Sequence, residues 1–441
     1  MIDQDAILAA RASALANRHG ETVFPWLGPN FKFGIGATGE VGYEMARLGV
    51  RRCLVVTDAN VVDSGTVRVV QDSLVAAGVA VRVWSGAQTE PTDSSIERAM
   101  SELADIEVDG YVAVGGGSSI DTCKLINLLM SHPAPLTTYL AIPHGEGRPV
   151  PGPLAPMIGI PTTAGTGSEC TAMAVVDLTD SHTKGAVSHF GMRPVMAIID
   201  PLNTLSCPPQ VTASAGYDAV VQALESLTCR ALGDRPPATN PATRPVYVGT
   251  NPVSVLWCEE SVRLASTHLV RAVDDGFDVD ARIGMSLAAL FSRLGNAGVH
   301  IPHANAYAVA AAASEYVPPG FIVDRPLVPH GQSVIATAPA AFDACFASDP
   351  GRHLRAASLL GVPADVVARS PSTAVGDWIR HLVSRTDGPT TLDHFGLEPR
   401  IIPAMIDTAL SQQRVLACSP VEVTRELLES VFTRSFSLSG T

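Results

Sequence analysis

Aromatic residues are scarce in this chain, at 5% of its 441 residues, and an excess of positive charge is absent. The formal net charge is −13, and the acidic residues are spread along the sequence. The negative net charge and the spread of the acidic residues argue against a nucleic acid or an anionic membrane surface as a partner, since these attract clustered lysine and arginine. We therefore expect neither partner, and an acidic substrate must be met by a local basic pocket.

Long apolar runs, the residue pattern of a signal peptide within residues 1–20 and Cys-x-x-Cys pairs are also missing. No run reaches the roughly 18 apolar residues of a membrane-crossing helix. Residues 1–20 carry Asp3 and Asp5 where a signal peptide has basic residues, and they lack its apolar centre. The eight cysteines form no Cys-x-x-Cys pair, which favours reduced thiols. We expect a cytoplasmic protein that begins with a short surface helix.

What the chain does contain is a large apolar fraction, 46%, enough to bury two domains. In the first half, β-branched runs at 54–58, 111–114 and 157–160 alternate with helical patterns, as in a parallel sheet covered by helices. From residue 211 the pattern is helical. We predict an α/β domain over 1–205 and a helical domain over 206–441. Predicted helices cover 67–78, 94–103 (capped by Ser94 or Ser95), 254–268, 280–294, 304–314, 352–360, 373–385 and 403–410.

Two glycine-rich segments are candidates for binding a dinucleotide. Residues 34–39 match G-x-G-x-x-G but follow only a short strand at 31–33, so a plain turn is an equal alternative. Residues 115–121, Gly-Gly-Gly-Ser-Ser-Ile-Asp, follow a better strand and open a predicted helix over 122–130. Three consecutive glycines let backbone N–H groups approach a pyrophosphate, which the helix N-terminus also favours.

Asp58 ends the predicted strand at 54–58, the position where such folds bind the adenosine ribose. Its carboxylate would repel a 2′-phosphate, which favours NAD over NADP. The alternative is an aspartate that caps a helix or a turn.

A carboxylate and an amide share one face of a predicted helix over 216–228. Asp218 and Gln222 are four residues apart among apolar neighbours, so hydrogen bonds or a metal ion should satisfy them. Two later histidines, His303 and His330, are able to complete such a site.

Asp218, Gln222 and these histidines, the last in Pro-His-Gly, resemble the metal site of the iron-containing alcohol dehydrogenases, with Gln222 in place of one histidine. Segments 240–245, 296–300 and 326–331 are similar to the hydroxyacid-oxoacid transhydrogenase branch. The resemblance spans about 31–420. It implies the dehydroquinate synthase-like fold of that family, with an α/β dinucleotide-binding domain followed by an all-α domain.

The resemblance also implies which residues contact NAD. It favours the second glycine loop as the phosphate cradle, and in the family the segment at 161–169 lines the nucleotide. Taken alone, that segment would be only a polar loop. Lys184 stands where the family places a lysine near the nicotinamide ribose, although a lone lysine is more often a solvated charge. The implied contacts are Asp58, Gly115, Gly116, Gly117, Ser118, Asp121, Thr162, Thr163, Thr166, Ser168 and Lys184.

A divalent ion, Fe²⁺ or Zn²⁺, is implied as well, to polarise the substrate oxygen during hydride exchange. Asp218, His303 and His330 match a two-histidine, one-carboxylate triad that suits Fe²⁺. Gln222 offers a neutral amide oxygen, a poor ligand. It is either a weak fourth ligand or a substrate hydrogen-bonding group in a metal-free site, as in the family's metal-independent maleylacetate reductases. A third interpretation is that these residues are hydrogen-bonded polar residues of the core and that the enzyme has lost its activity.

Other residues near these motifs also receive predictions. Tyr307 is expected to face the cleft and orient substrate or relay a proton, with buried packing as the alternative. His300 is expected to be structural, and Arg244 and Lys184 to bind a substrate carboxylate. The candidate catalytic residues are Tyr307, Lys184 and Gln222. Residues 230–252, interrupted by Pro and Gly, predict a surface excursion that covers the active site or an oligomer contact, or a bland loop.

The sequence thus predicts an oxidoreductase that transfers a hydride between NAD and a small, anionic hydroxy acid, alcohol, oxo acid or aldehyde, in a homo-oligomer. The alternative enzyme is an NAD(P)H-dependent reductase of a small acidic aldehyde or ketone, of the phosphonate aldehyde or maleylacetate type, that releases its cofactor at each turnover. A dehydroquinate synthase is disfavoured because no basic substrate pocket is evident. Intact glycine and threonine loops disfavour a silent nucleotide-binding protein.

Overall fold

The computed structural model describes residues 3–25, 28–179, 183–241, 244–245 and 247–437. Residues 242 and 243 of the segment at 240–245 and residues 1 and 2 of the expected N-terminal helix lie outside this range. The described strands are β1 (Asn30–Phe33), β2 (Arg52–Asp58), β3 (Ala80–Ala87), β4 (Gly110–Gly115), β5 (Met157–Pro161), β6 (Met173–Leu178), β7 (Thr183–Ser188) and β8 (Met196–Ile199).

Six of these strands form one parallel sheet in the order β1-β8-β5-β4-β2-β3. Strands β6 and β7 form a separate antiparallel hairpin. The central strands are buried on both faces and rich in valine and isoleucine, which is typical of parallel sheets covered by helices. The helices of this half are α1 (Gln4–Ala16), α2 (Val41–Arg47), α3 (Thr66–Ala76), α4 (Asp93–Glu102), α5 (Gly117–Ser131) and α6 (Leu136–Tyr139).

Two details of these helices bear on the predictions. Helix α1 buries none of its residues, as expected of a surface helix. The expected cap of α4, Ser94 or Ser95, is wrong: Thr92 is the N-cap. The Thr92 hydroxyl accepts the backbone N–H of Ser95, and the Ser95 hydroxyl accepts the N–H of Thr92. This reciprocal capping box satisfies two amides at once, so the cap lies before the first predicted serine.

The second half of the chain is helical. Its helices are α7 (Pro209–Thr228), α8 (Pro252–Asp274), α9 (Val279–Leu294), α10 (Ile301–Ala312), α11 (His330–Cys345), α12 (Pro350–Leu359), α13 (Ala364–Arg369), α14 (Ala374–Arg385), α15 (Ile402–Ser411), α16 (Gln413–Leu416) and α17 (Arg425–Arg434). Helix α7 is central and is buried almost throughout from Thr212 onward. The predicted fold class is therefore confirmed.

The boundary between the halves and the position of the cleft follow from this order. Strand β8 ends at Ile199 and α7 begins at Pro209. The exact division at residue 205 stays a prediction. The carboxyl ends of β2, β4 and β5 face α7, α9, α10 and α11 across a cleft lined from both sides. Ligands of open parallel sheets bind at this edge. Within the described part of the chain, no helix has the length and hydropathy needed to cross a membrane.

Candidate active site

The side of the cleft that is predicted to bind the nucleotide is built where β4 ends and α5 begins. Gly116 is the N-cap of α5, and no side chain caps this helix, so amides of its first turn remain available to a ligand. At Gly117, a Cβ would lie 2.5 Å from Thr166 Oγ1. The glycine loop is thus packed directly against the threonine-rich segment that follows β5.

Ten of the eleven residues predicted to contact NAD line the cleft. The exception is Gly115, which lies behind the loop: a Cβ there would be 2.5 Å from Ser119 Oγ and 3.1 Å from Asp58 Oδ2. The other glycine segment, 34–39, is not among the described residues of the cleft wall. There the Thr38 amide donates to Asp200, as in a structural turn. The ten are Asp58, Gly116, Gly117, Ser118, Asp121, Thr162, Thr163, Thr166, Ser168 and Lys184.

Asp58 and Asp121 make structural hydrogen bonds beside the loop. Asp58 Oδ2 accepts from Ser119 at 2.7 Å, and its Oδ1 accepts from the amides of Asn60 and Val61 at 3.0 and 3.1 Å. Asp121 accepts hydrogen bonds from Lys124 Nζ and from the backbone amide of Val175. The turn-capping role weighed for Asp58 is therefore present, and its contact with a ribose stays a prediction.

Lys184 lies in the cleft wall with its charge already balanced. Its Nζ lies 2.6 Å from Glu90 Oε2 and 2.7 Å from Asp177 Oδ1. Burial lowers the pKa of Lys184, but the attraction of the two carboxylates outweighs burial and raises that pKa above its usual value. A charged lysine held by two carboxylates is poorly suited to bind a third, from a substrate. Its contact with the nicotinamide ribose stays a prediction.

Arg244 lies away from the cleft. Its Nη2 is 3.3 Å from Glu21 Oε2, and the Glu21 carboxylate also accepts the amides of Val23 and Ala238. The expectation that Arg244 binds a substrate carboxylate is wrong, because this guanidinium instead ties the excursion at 230–252 to the N-terminal segment.

On the opposite wall, Asp218 of α7, His303 of α10 and His330 of α11 converge. One ligand atom from each lies within 4.8 Å of the others. His303 Nε2 is 3.2 Å and His330 Nε2 is 3.8 Å from Asp218 Oδ1. Burial raises the pKa of Asp218, but the hydrogen bond from His303 and the nearby imidazoles outweigh it and lower that pKa to about 2. One ionised carboxylate with two imidazoles fits a divalent metal.

Glu225, which the sequence analysis did not single out, holds His303 from behind. Its Oε2 is hydrogen-bonded to His303 Nδ1, and its Oε1 accepts the amide of His300 at 2.7 Å. Burial raises the pKa of Glu225, and the two histidines outweigh it and lower that pKa. A carboxylate on the outer nitrogen fixes the orientation of a metal-binding imidazole. The available signal was its position on α7, two helical turns after Asp218.

Gln222 is held by two residues of α9. Ser292 Oγ donates its one proton to the Ala219 carbonyl at 2.9 Å, so its oxygen accepts the Gln222 Nε2 amide at 3.0 Å. The Gln222 Oε1 therefore faces Arg293, whose Nη1 donates to it at 2.7 Å. The only ligand atom of Gln222 thus contacts a cation, which repels a metal ion. Gln222 fits poorly as a fourth ligand, and the three-residue set fits without it.

Tyr307 and His300 lie in different surroundings. Tyr307 lines the cleft, partly buried, with its ring 6.5 Å from the ring of His330. His300 is fully buried beside Phe342, and burial lowers its pKa to about 4. It is a neutral core residue, outside the cleft wall.

Two family models match the chain. The model described as iron-containing alcohol dehydrogenase matches residues 29–201, and the model of the C-terminal part of the Fe-containing alcohol dehydrogenase family matches residues 246–436. Together they span both walls of the cleft.

Curated relatives and solved structures agree with these models. The mitochondrial hydroxyacid-oxoacid transhydrogenase of Xenopus tropicalis is 37% identical over 431 residues, which cover 96% of this chain and 93% of the relative. The human protein of that name is 37% identical over 414 residues, 93% of this chain and 89% of the relative. The alcohol dehydrogenase from Oenococcus oeni has a TM-score of 0.81 at 25% identity, over 94% of this chain and 100% of that one.

Proposed function

This chain belongs to the iron-containing alcohol dehydrogenase family and is an oxidoreductase, and we propose that it passes a hydride from a small hydroxy acid to an oxo acid through NAD in the cleft. The observation that carries the proposal is one cleft with a glycine loop on one wall and Asp218, His303 and His330 on the other. Similarity to the transhydrogenases over nearly the whole chain supports the pairing of the two acids.

The reaction consists of two balanced halves. First, the C–H bond of the carbinol carbon breaks, its hydrogen moves with the electron pair to the nicotinamide ring of NAD⁺, and the hydroxyl proton leaves. The products are an oxo acid or semialdehyde and NADH. In the second half, NADH returns the hydride to the carbonyl carbon of a different oxo acid, and a proton is added to its oxygen. Tyr307 lines the cleft, where it would relay this proton.

The chain's own residues divide these tasks. Asp218, His303 and His330 would hold Fe²⁺ or Zn²⁺, which when bound polarises the substrate oxygen. Glu225 keeps the His303 ring in place. The second glycine loop and the threonines opposite it would hold NAD, which is favoured over NADP by the carboxylate of Asp58. Assembly as a homo-oligomer in the cytoplasm, with no nucleic-acid or membrane partner, remains part of this proposal.

A second candidate is a reductase of small acidic aldehydes or ketones that works without a metal. The observation in its favour is the Arg293 guanidinium on Gln222, because a fixed cation is able to stabilise charge on a substrate oxygen. Such an enzyme would release its cofactor at every turnover.

Trapping the free cofactor separates the two candidates. The protein is incubated with a hydroxy acid, an oxo acid and a small amount of NAD, with and without a water-forming NADH oxidase that consumes free NADH. A transhydrogenase keeps producing reduced oxo acid in equal amount to the hydroxy acid consumed, with the oxidase present. If the oxidase abolishes reduction of the oxo acid, the cofactor leaves between half-reactions and the transhydrogenase proposal fails.

A further inference from the structure

We propose that Arg293, held in place by Gln222, binds the carboxylate of the substrate and makes the enzyme selective for acids over neutral alcohols. This inference rests on the proposed function, since it names the residue that recognises a hydroxy acid or an oxo acid. Neither Lys184 nor Arg244, the basic residues first expected to do so, is placed for this task.

The Arg293 side chain passes close to the backbone at Gly167 on its way to the cleft. Arg293 lies in the last turn of α9, and its stem crosses to the threonine-rich segment at Gly167. A Cβ at Gly167 would come within 2.7 Å of Arg293 Cγ, and the φ of +62° also favours glycine there. The absence of a side chain at Gly167 gives the guanidinium access to the cleft, which Asp218 and Tyr307 also line.

Gln222 and Ser292 orient the guanidinium without neutralising it. The Ser292 hydroxyl fixes the Gln222 amide, and the amide oxygen accepts a single N–H of Arg293. Guanidinium carries five N–H donors, so donors remain for a ligand. A carboxylate at position 222 would cancel the charge, whereas a neutral amide preserves it.

In the described part of the chain, no carboxylate lies within the 4.0 Å of an ion pair with Arg293, and Asp218 and Glu169 act on its charge only from a greater distance. Two other cations of this region are paired with carboxylates. Lys184 is paired with Glu90 and Asp177, and Arg325 is paired with Asp177. An oriented guanidinium that makes no ion pair with the described residues of a partly buried cleft is suited to bind an anion, and its planar fork suits a carboxylate.

The position of Arg293 also matches the shape of a hydroxy acid. Its contact, Gln222, lies one helical turn along α7 from Asp218. A substrate whose hydroxyl faces Asp218, His303 and His330 would therefore reach Arg293 with a carboxylate on a neighbouring carbon. A neutral alcohol would leave the guanidinium without a partner.

Matched substrates test this directly in the full-length enzyme. The panel pairs lactate, 3-hydroxybutyrate and 4-hydroxybutyrate with 1,2-propanediol, 1,3-butanediol and 1,4-butanediol, each of which carries a hydroxymethyl group in place of the carboxylate. Arg293→Met should lower kcat/KM for the acids about 30- to 1000-fold and change it for the diols less than about threefold. Arg293→Lys should recover part of the acid activity, since it restores the charge but not the fork.

Arg414→Met tests the rival cation, because Arg414 also lines the cleft but is exposed to solvent. It should change the preference for acids over diols less than about threefold, since an exposed side chain holds a carboxylate only weakly. Calorimetric binding of succinate to the NADH complex adds a readout independent of turnover: wild type and Arg414→Met should bind, and Arg293→Met should not. Equal losses for acids and diols, succinate binding retained in Arg293→Met, or selectivity lost in Arg414→Met would each overturn the assignment.

The test separates this inference from the proposed function. If the wild type oxidises diols but none of the acids, the proposed function fails, and succinate binding alone then decides the role of Arg293. If the wild type oxidises acids and Arg293→Met does so equally well, the function stands and this inference fails.

Discussion

Gln222 is the residue at which this chain departs from the metal site that its motifs resemble. An imidazole there would offer a nitrogen lone pair to a metal, whereas the amide oxygen of Gln222 faces Arg293. The exchange removes one metal ligand and adds one oriented cation in the same place. Asp218, His303 and His330 keep the geometry of a three-residue site that leaves coordination positions open for substrate.

Metal content of variants tests this division of roles. Asp218→Asn should purify without metal, because it removes the anionic ligand, while Gln222→Ala should hold as much as the wild type. Glu225→Gln should bind metal about 10- to 100-fold more weakly, since it frees the His303 ring. Metal per chain is measured by mass spectrometry of protein prepared without chelator. A Gln222→Ala variant as empty as Asp218→Asn would show that Gln222 is a ligand after all.

A sequence predicts the residues of a site only when their roles do not depend on contacts between distant parts of the chain. Asp218, His303 and His330 were found from spacing and motif alone. Arg293 and Glu225 were missed, because their roles depend on which helices cross. The sequence shows that α7 and α9 are apolar, but it does not show that Arg293 reaches Gln222, 71 residues earlier.

Among the elements, the loop between β4 and α5 is the one for which a role in cofactor binding can be tested most specifically. Gly116 has φ −70°, which any residue adopts, and a Cβ there would meet only Thr163, at an ordinary 3.5 Å. The protein alone therefore has room for a side chain at Gly116. A pyrophosphate that rests on the amides of this turn would leave no room for that side chain.

Gly116→Ala should leave the melting temperature unchanged and weaken NAD binding about tenfold or more, since the methyl group would hold the phosphates off the amides. Gly39→Ala is the control from the first glycine segment, where a Cβ meets nothing within 4 Å. It should alter neither property. Calorimetry with NAD and thermal unfolding give both values. Native NAD affinity in Gly116→Ala, or a loss in Gly39→Ala, would remove the second loop from the nucleotide site.

Elements were predictable where their hydrophobic period was clear. Strands β2, β4 and β5 and helix α9 were predicted to within two residues at both ends. Helix α8 was predicted well only at its N-terminal end. Helix α11 was not predicted, because it begins at a Pro-His-Gly segment and contains Pro339, a residue that usually ends helices. The edge strand β3 was also missed: it is mostly half-exposed and carries Arg82 and Ser85, so it lacks the apolar run of the central strands.

For the whole molecule, alternation of strands and helices followed by helices alone was sufficient to predict the architecture, since each pattern has few packing solutions. The contacts that cross the cleft were not predictable. Arg325 Nη2 donates to Asp177 Oδ2 at 2.5 Å and to the Glu90 carbonyl at 2.9 Å, and so ties the loop before α11 to the sheet half. These partners are 148 and 235 residues apart, beyond the reach of any local pattern.

We propose above that one cleft accepts a hydride from a hydroxy acid and returns it to an oxo acid. The most direct measurement follows a hydroxy acid with deuterium on its carbinol carbon, mixed with unlabelled oxo acid, NAD and enzyme, with the products analysed by mass spectrometry and NMR. We predict deuterium on the new carbinol carbon of the reduced oxo acid. A reduced product that carries only hydrogen there, or labelled NADH that accumulates while the oxo acid is untouched, would contradict it.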